Sequence, residues 1–182
     1  MDVIVLPKLV WKESPNKSSR HNTLIDLLVY HETAGFYRGD IATLCNNKVP
    51  PEKRVSAMGV LREDGLEFTQ LVRIRDKAWT QGWFNPRAIG VEHSNVTSKG
   101  YSTETQLKVS ARIFGWLCWQ EDIPVRFARG GNGPGICRHL DLGAAGGGHT
   151  QCGMSDTKFH LWLEMIHHEV ERGDYKKVWA RL

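Results

Sequence analysis

The run from Arg138 to Gly153 limits the fold of this chain more than any other stretch. It sets His139 and Cys152 near its two ends, with mostly Gly and Ala between them (Gly143 to Gly148). So few large side chains cannot build a core, so the run must be held from outside, and a metal ion gripped at both ends would do that. A third candidate ligand, His31, follows the apolar run Leu24–Tyr30 far upstream. Two His and one Cys leave the fourth position of a tetrahedral zinc ion open to water. That is the pattern of catalytic zinc; structural sites close all four positions.

With 182 residues, 41% hydrophobic and 24% charged, the chain has the material for one folded domain with a real core. We expect a single domain over 1–182, with an irregular N-terminal segment at 1–22 and a catalytic core at about 24–172. A net charge of +4 suits a polyanionic partner: nucleic acid, anionic membrane or anionic cell wall. Lys and Arg are scattered without a run, which an ordinary solvated surface explains equally well, and no nucleic-acid partner is expected. Met1-Asp2-Val3-Ile4-Val5-Leu6-Pro7 lacks the basic start, longer apolar stretch and cleavage site of a secretory signal. No segment approaches the ~18 apolar residues of a membrane span. The expectation is a monomer made in the cytoplasm without a signal peptide, with no stable membrane insertion. It would reach a wall only through a pore or a secretion system.

Cys45, Cys118, Cys137 and Cys152 are too widely spaced for a small disulfide framework and read as thiols. Cys118 falls on a helical apolar face, Cys45 ends a short helix and Cys137 belongs to a buried strand. Cys152 alone has a polar, Gly-flanked setting where a thiolate meets a metal.

Local patterning predicts strands at Leu24–Tyr30, Val55–Leu61, Phe68–Val72, Ala88–His93 and Val125–Phe127. A short helix spans Asp40–Cys45, opened by Asp40. Arg62–Gly65 is a hairpin turn with an Asp-Gly signature, and Arg75–Pro86 is irregular. Leu107, Ala111, Phe114, Leu117 and Cys118 make one apolar stripe on a helix over Thr103–Glu121. A last helix, Thr157–Glu171, is capped by Asp156 and ended by Gly173. The order predicts an α/β domain with a central mixed sheet flanked by helices.

On these residues the chain resembles the zinc-dependent N-acetylmuramoyl-L-alanine amidases, a family shared by phage endolysins, wall-recycling amidases and peptidoglycan recognition proteins. The matching pieces run in family order from about Leu24 to Ile166: Val29-Tyr30-His31-Glu32-Thr33-Ala34, Ser56-Ala57 through Asp64-Gly65, Ala78-Trp79, Ile89-Gly90-Val91-Glu92, His139-Leu140-Asp141, and His149-Thr150-Gln151-Cys152-Gly153. The Gly-rich loop between His139 and Cys152 looks most like phage endolysins. Many members have His where this chain has Met58 and Thr80, and Asp-Pro-Gly where it has Gln151-Cys152-Gly153.

The resemblance implies hydrolysis of the amide between N-acetylmuramic acid and L-alanine in bacterial peptidoglycan. His31, His139 and Cys152 would bind zinc and Glu92 would be the general base. His149 would stand in for a Lys that often assists catalysis, donating to the developing oxyanion, a contribution of order ~3 kcal/mol. Zinc would polarise the carbonyl and acidify water. On a strand, Glu92 faces opposite to Val91 and His93, so His93 is not expected as a ligand. Trp79, Trp83 and Arg129 are candidate groove walls for sugar and stem peptide, with Arg87 a second partner for carboxylates.

Each residue also has a bland reading. His31 alone fits a strand-end His, Glu92 a surface carboxylate and His139 with Asp141 a structural hydrogen-bonded pair. His160, His167 and His168 read as packing or surface residues. At the level of function, the alternatives are a peptidoglycan-recognition module that binds without cutting, and a cytoplasmic amidase recycling soluble wall fragments. Non-catalytic members typically lose the Cys-type ligand, and this chain keeps Cys152.

Overall fold

The computed structural model describes residues 6–95 and 103–173. Its strands are β1 (Lys8–Trp11), β2 (Lys17–Ser19), β3 (Leu27–Glu32), β4 (Gly59–Leu61), β5 (Glu67–Gln70), β6 (Asp76–Ala78), β7 (Ala88–His93) and β8 (Gly135–Arg138). The α-helices are α1 (Tyr37–Leu44), α2 (Glu104–Gln120) and α3 (Asp156–Arg172). Six strands form one mixed sheet in the order β1-β5-β4-β7-β3-β8, and β2 pairs with β6 in a small antiparallel sheet. Within the main sheet β4, β7, β3 and β8 run parallel, while β5 returns antiparallel to β4. The expected α/β architecture, a central mixed sheet flanked by helices, is present.

Both faces of the central strands are covered, which explains why β3 reads as a continuous apolar run rather than an alternating one. Leu28 and Tyr30, with Ile89, Val91 and Ile136, pack under α2 and α3 against Phe114, Phe159 and Trp162. Leu27 and Val29, with Ala88 and Cys137, pack on the opposite face against Ala128 and Leu142. Side chains alternate along a strand, so this second face also receives His31, Gly90 and Glu92. Farther along it, Ile41 and Leu44 of α1 pack on Val60 and Leu71.

The helix ends follow from local chemistry. Thr103 Oγ1 accepts the Gln106 N–H at 3.1 Å and opens α2. Ser155, rather than Asp156, caps α3: its Oγ accepts the Lys158 N–H at 3.4 Å. Asp156 is the first helical residue, and its carboxylate turns to Arg138 at 2.6 Å. Gly173, in the left-handed region at φ 67°, ends α3. In the β4–β5 hairpin, Asp64 Oδ1 accepts the Leu66 N–H at 2.8 Å and Gly65 takes φ 73°.

The structure corrects several expectations. Residues 8–22 are not irregular throughout, since β1 and β2 lie within them. The stretch 75–86 likewise contains β6 and a 3₁₀ turn at Gly82–Phe84. Val125–Phe127 contributes only a single bridge, Phe127 to Ile136. α1 begins at Tyr37, before Asp40, whose carboxylate accepts from Thr33 Oγ1 at 2.7 Å and Ser94 Oγ at 2.5 Å. Residues 1–5, most of the Met1–Pro7 segment on which the signal-peptide reading rests, lie outside the described residues. Among the described residues no helix is long and apolar enough to cross a membrane.

Candidate metal centre

Three parallel strands deliver the site at their carboxyl ends. His31 is the fifth residue of β3, Glu92 the fifth of β7, and His139 directly follows β8. The register pairs His31 with Glu92 across the two strands, so the sheet itself sets them side by side on one face.

Cys152 arrives from the other end of the Gly-rich run. The Leu140 N–H donates to the Cys152 carbonyl at 3.0 Å, and Arg138 Nη1 donates to the Met154 carbonyl at 2.8 Å. Arg138 is buried, forms an ion pair with Asp141 at 2.7 Å and lies over the Phe159 ring at 4.9 Å. It therefore ties the end of β8 to the start of α3 and fixes both ends of the run. Asp141 serves Arg138, accepting its backbone N–H at 2.8 Å, and not His139. The alternative reading of His139 and Asp141 as a hydrogen-bonded pair does not hold: His139 Nε2 donates instead to the Gly146 carbonyl at 2.7 Å. With Nε2 carrying the proton, His139 keeps its Nδ1 lone pair free, an outer-shell arrangement common to metal-binding His.

The ligand atoms of His31, His139 and Cys152 lie within 4.8 Å of one another. His31 Nδ1 stands 3.8 Å from Cys152 Sγ and 3.8 Å from Glu92 Oε1. Ligand atoms around a tetrahedral zinc stand roughly 3.5 Å apart, so small side-chain rotations close the trio on an ion. His149 lies against His139 with ring centroids 4.4 Å apart. These groups line a cleft of about 300 Å³, together with Glu32, Thr33, Asp40 and Thr80.

Electrostatics suits a cation here. Burial, reinforced by His139, holds His31 well below the usual His range, and burial lowers His139 too, so both imidazoles are neutral and able to coordinate. Burial, then the nearby Glu92, pushes the Cys152 thiol up to about 12. Burial and Asp40 push Glu92 up to about 8. A divalent ion reverses both of the latter shifts by stabilising thiolate and carboxylate. The backbone N–H of Glu32, 3.4 Å from Cys152 Sγ, is a ready donor to that thiolate.

The other sequence candidates stand apart from the cleft. Trp79 donates its indole N–H to Ser18 Oγ at 3.0 Å, and Arg129 lies over Phe127 at 5.1 Å. Trp83 is 88% exposed on the 3₁₀ turn whose Gly82 abuts the Ala145 carbonyl, at the edge of the Gly-rich run. Arg87 is spent on structure, since it bonds Asp26 Oδ1 and the carbonyls of Gly131 and Gly133. It thereby pins the separate loop at 129–135 rather than facing a ligand. His93 faces away, as the alternation requires, and joins the His31 carbonyl to Ser110 Oγ. Two residues not read as site residues in the sequence matter here. Asp40 abuts the site, and Gln81 is fully buried behind His31, where its amide favours a proton on the His31 ring.

Fold and site together define an α/β domain with a His-His-Cys cluster able to hold one metal ion at the carboxyl end of its parallel strands. A family model described as N-acetylmuramoyl-L-alanine amidase matches residues 21–154, and the chain belongs to that family. A search of curated proteins returns no match. Among solved structures, the chain is similar to the hydrolase AmiA of Staphylococcus aureus in complex with its ligand. The TM-score is 0.72 at 15% identity, covering 93% of this chain and 87% of that one. It is also similar to the N-acetylmuramoyl-L-alanine amidase LysC from Clostridium intestinale URNW (TM-score 0.65, 17% identity, 88% and 98% covered). A third relative in fold is AmpD (TM-score 0.60, 19% identity, 89% and 99% covered).

Proposed function

We propose that this protein is a zinc-dependent amidase. It hydrolyses the bond between the lactyl group of N-acetylmuramic acid and the L-alanine of the stem peptide in peptidoglycan, as a wall-lytic enzyme of the phage-endolysin type. The observation that carries this reading is the convergence of His31, His139 and Cys152 beside Glu92 in a chain of the amidase family. Two neutral imidazoles and a thiolate suit zinc and leave a position open. Zinc held there supplies Lewis acidity, polarising a carbonyl oxygen and acidifying water.

The chain's own residues do the rest. Glu92 takes the proton from the attacking water and hands it to the departing amide nitrogen. Its burial removes competing solvent, and Asp40 beside it raises its basicity. His149, exposed above His139, donates to the oxygen on which charge develops. Outside the cleft, along the course of a longer substrate, Trp83 offers a ring face to a sugar, Arg129 a guanidinium to a stem-peptide carboxylate, and Trp79 a partly buried wall.

Mass analysis of products from a purified muropeptide tests the reaction. The expected products are a stem peptide with a free L-alanine amine and a sugar with a free lactyl carboxylate. Tight binding of the muropeptide with no new amine would instead make the protein a recognition module.

A further inference from the structure

We propose that Gln81 is the positioning residue for His31: its side-chain oxygen takes the Nε2–H of the ring, which holds His31 in the tautomer that aims the Nδ1 lone pair into the cleft. The inference rests on the zinc reading above for its purpose, though not for its geometry.

Gln81 has no exposed surface, and neither atom of its amide has a hydrogen-bond partner among the described residues. His31 Nε2 is likewise buried and without a partner. The two orphans meet over Gly90. A Cβ built there would lie 2.5 Å from Gln81 Oε1 and 3.0 Å from His31 Nε2, so Gly90 leaves the space in which they face each other. Buried polar atoms left unpaired are costly, so two of complementary chemistry in one pocket are each other's natural partner. The backbone is set for this role: Asn85 Oδ1 accepts the N–H groups of Thr80 and Gln81 at 3.0 and 2.8 Å. That bend puts Thr80 on the cleft wall and Gln81 behind it.

His139 already shows the same logic, with Nε2 on the Gly146 carbonyl. For His31 a side chain has the task, because β3 and β7 use their backbone groups on each other. Outer-shell partners of this kind typically change metal affinity by about 10- to 100-fold when removed.

Long-range ¹H–¹⁵N correlation spectra of the metal-stripped full chain, with ¹⁵N-labelled His, read the His31 tautomer directly. The wild type is expected to carry the proton on Nε2. Gln81→Leu is expected to give a mixture of tautomers and bind Zn²⁺ about 10- to 100-fold more weakly in a chelator competition. Gln81→Glu, which keeps an acceptor, is expected to restore both. An Nδ1–H tautomer in the metal-stripped wild type overturns the proposal, whether or not any variant folds. So does a folded Gln81→Leu chain with unchanged tautomer and unchanged zinc affinity. If the wild type binds no Zn²⁺, the zinc reading fails by itself, and the tautomer still decides the role of Gln81.

Discussion

Glu92 stands 3.8 Å from His31 Nδ1 yet lies outside the trio of ligand atoms, so substitution separates chemistry from metal binding. Glu92→Gln is expected to keep its zinc while kcat falls by about 10²- to 10⁴-fold; metal analysis beside the amine-release assay checks both. The placement of Glu92 was legible in the sequence, because strict alternation along Ala88–His93 puts Glu92 opposite to Val91 and His93. The His139 and Cys152 pairing was legible too, from a Gly-rich run that no core could hold. Gln81 was not legible. Its meaning comes from Gly90 and His31, which reach it only through the register of β3 and β7. Arg87 misled for the same reason: its partners, Asp26 and two loop carbonyls, are distant in sequence.

Arg138 joins β8, the Gly-rich run and α3, and its ion pair with Asp141 is nearly buried, with side chains 5% and 10% exposed. Arg138→Met leaves the Asp141 carboxylate unpaired and should lower stability by about 3–5 kcal/mol in urea denaturation. In α2, burial pushes the Cys118 thiol up to about 12. The folded state keeps that proton after the unfolded chain, with a thiol in its ordinary range near 9.0, has lost it. Stability from this group is therefore complete below pH 9 and falls as pH rises towards 12. Cys118→Ala should flatten that alkaline decline in the denaturation midpoint. The signals at its two ends revealed α3, and periodicity revealed α2 through its one apolar stripe. It could not reveal β1, β2 and β6. These are short, partly polar strands, and their conformation is set by the strand beside them rather than by their own pattern.

Across the whole molecule, the candidate centre joins segments far apart in the chain: β3, the end of β8 and the loop before α3. A ligand that binds only the folded state stabilises it, by about 2.7 kcal/mol at a hundredfold excess over Kd. Zinc should therefore raise Tm, and a chelator should lower it and expose the Gly-rich run at 143–150 to proteolysis. The most direct test of the account is zinc content together with release of L-alanine amines from purified peptidoglycan, for the wild type and Cys152→Ala. The account predicts about one zinc per chain and new alanine amines, both lost in the variant. A wild-type protein that binds no zinc, or a Cys152→Ala variant that keeps both metal and cleavage, would contradict it.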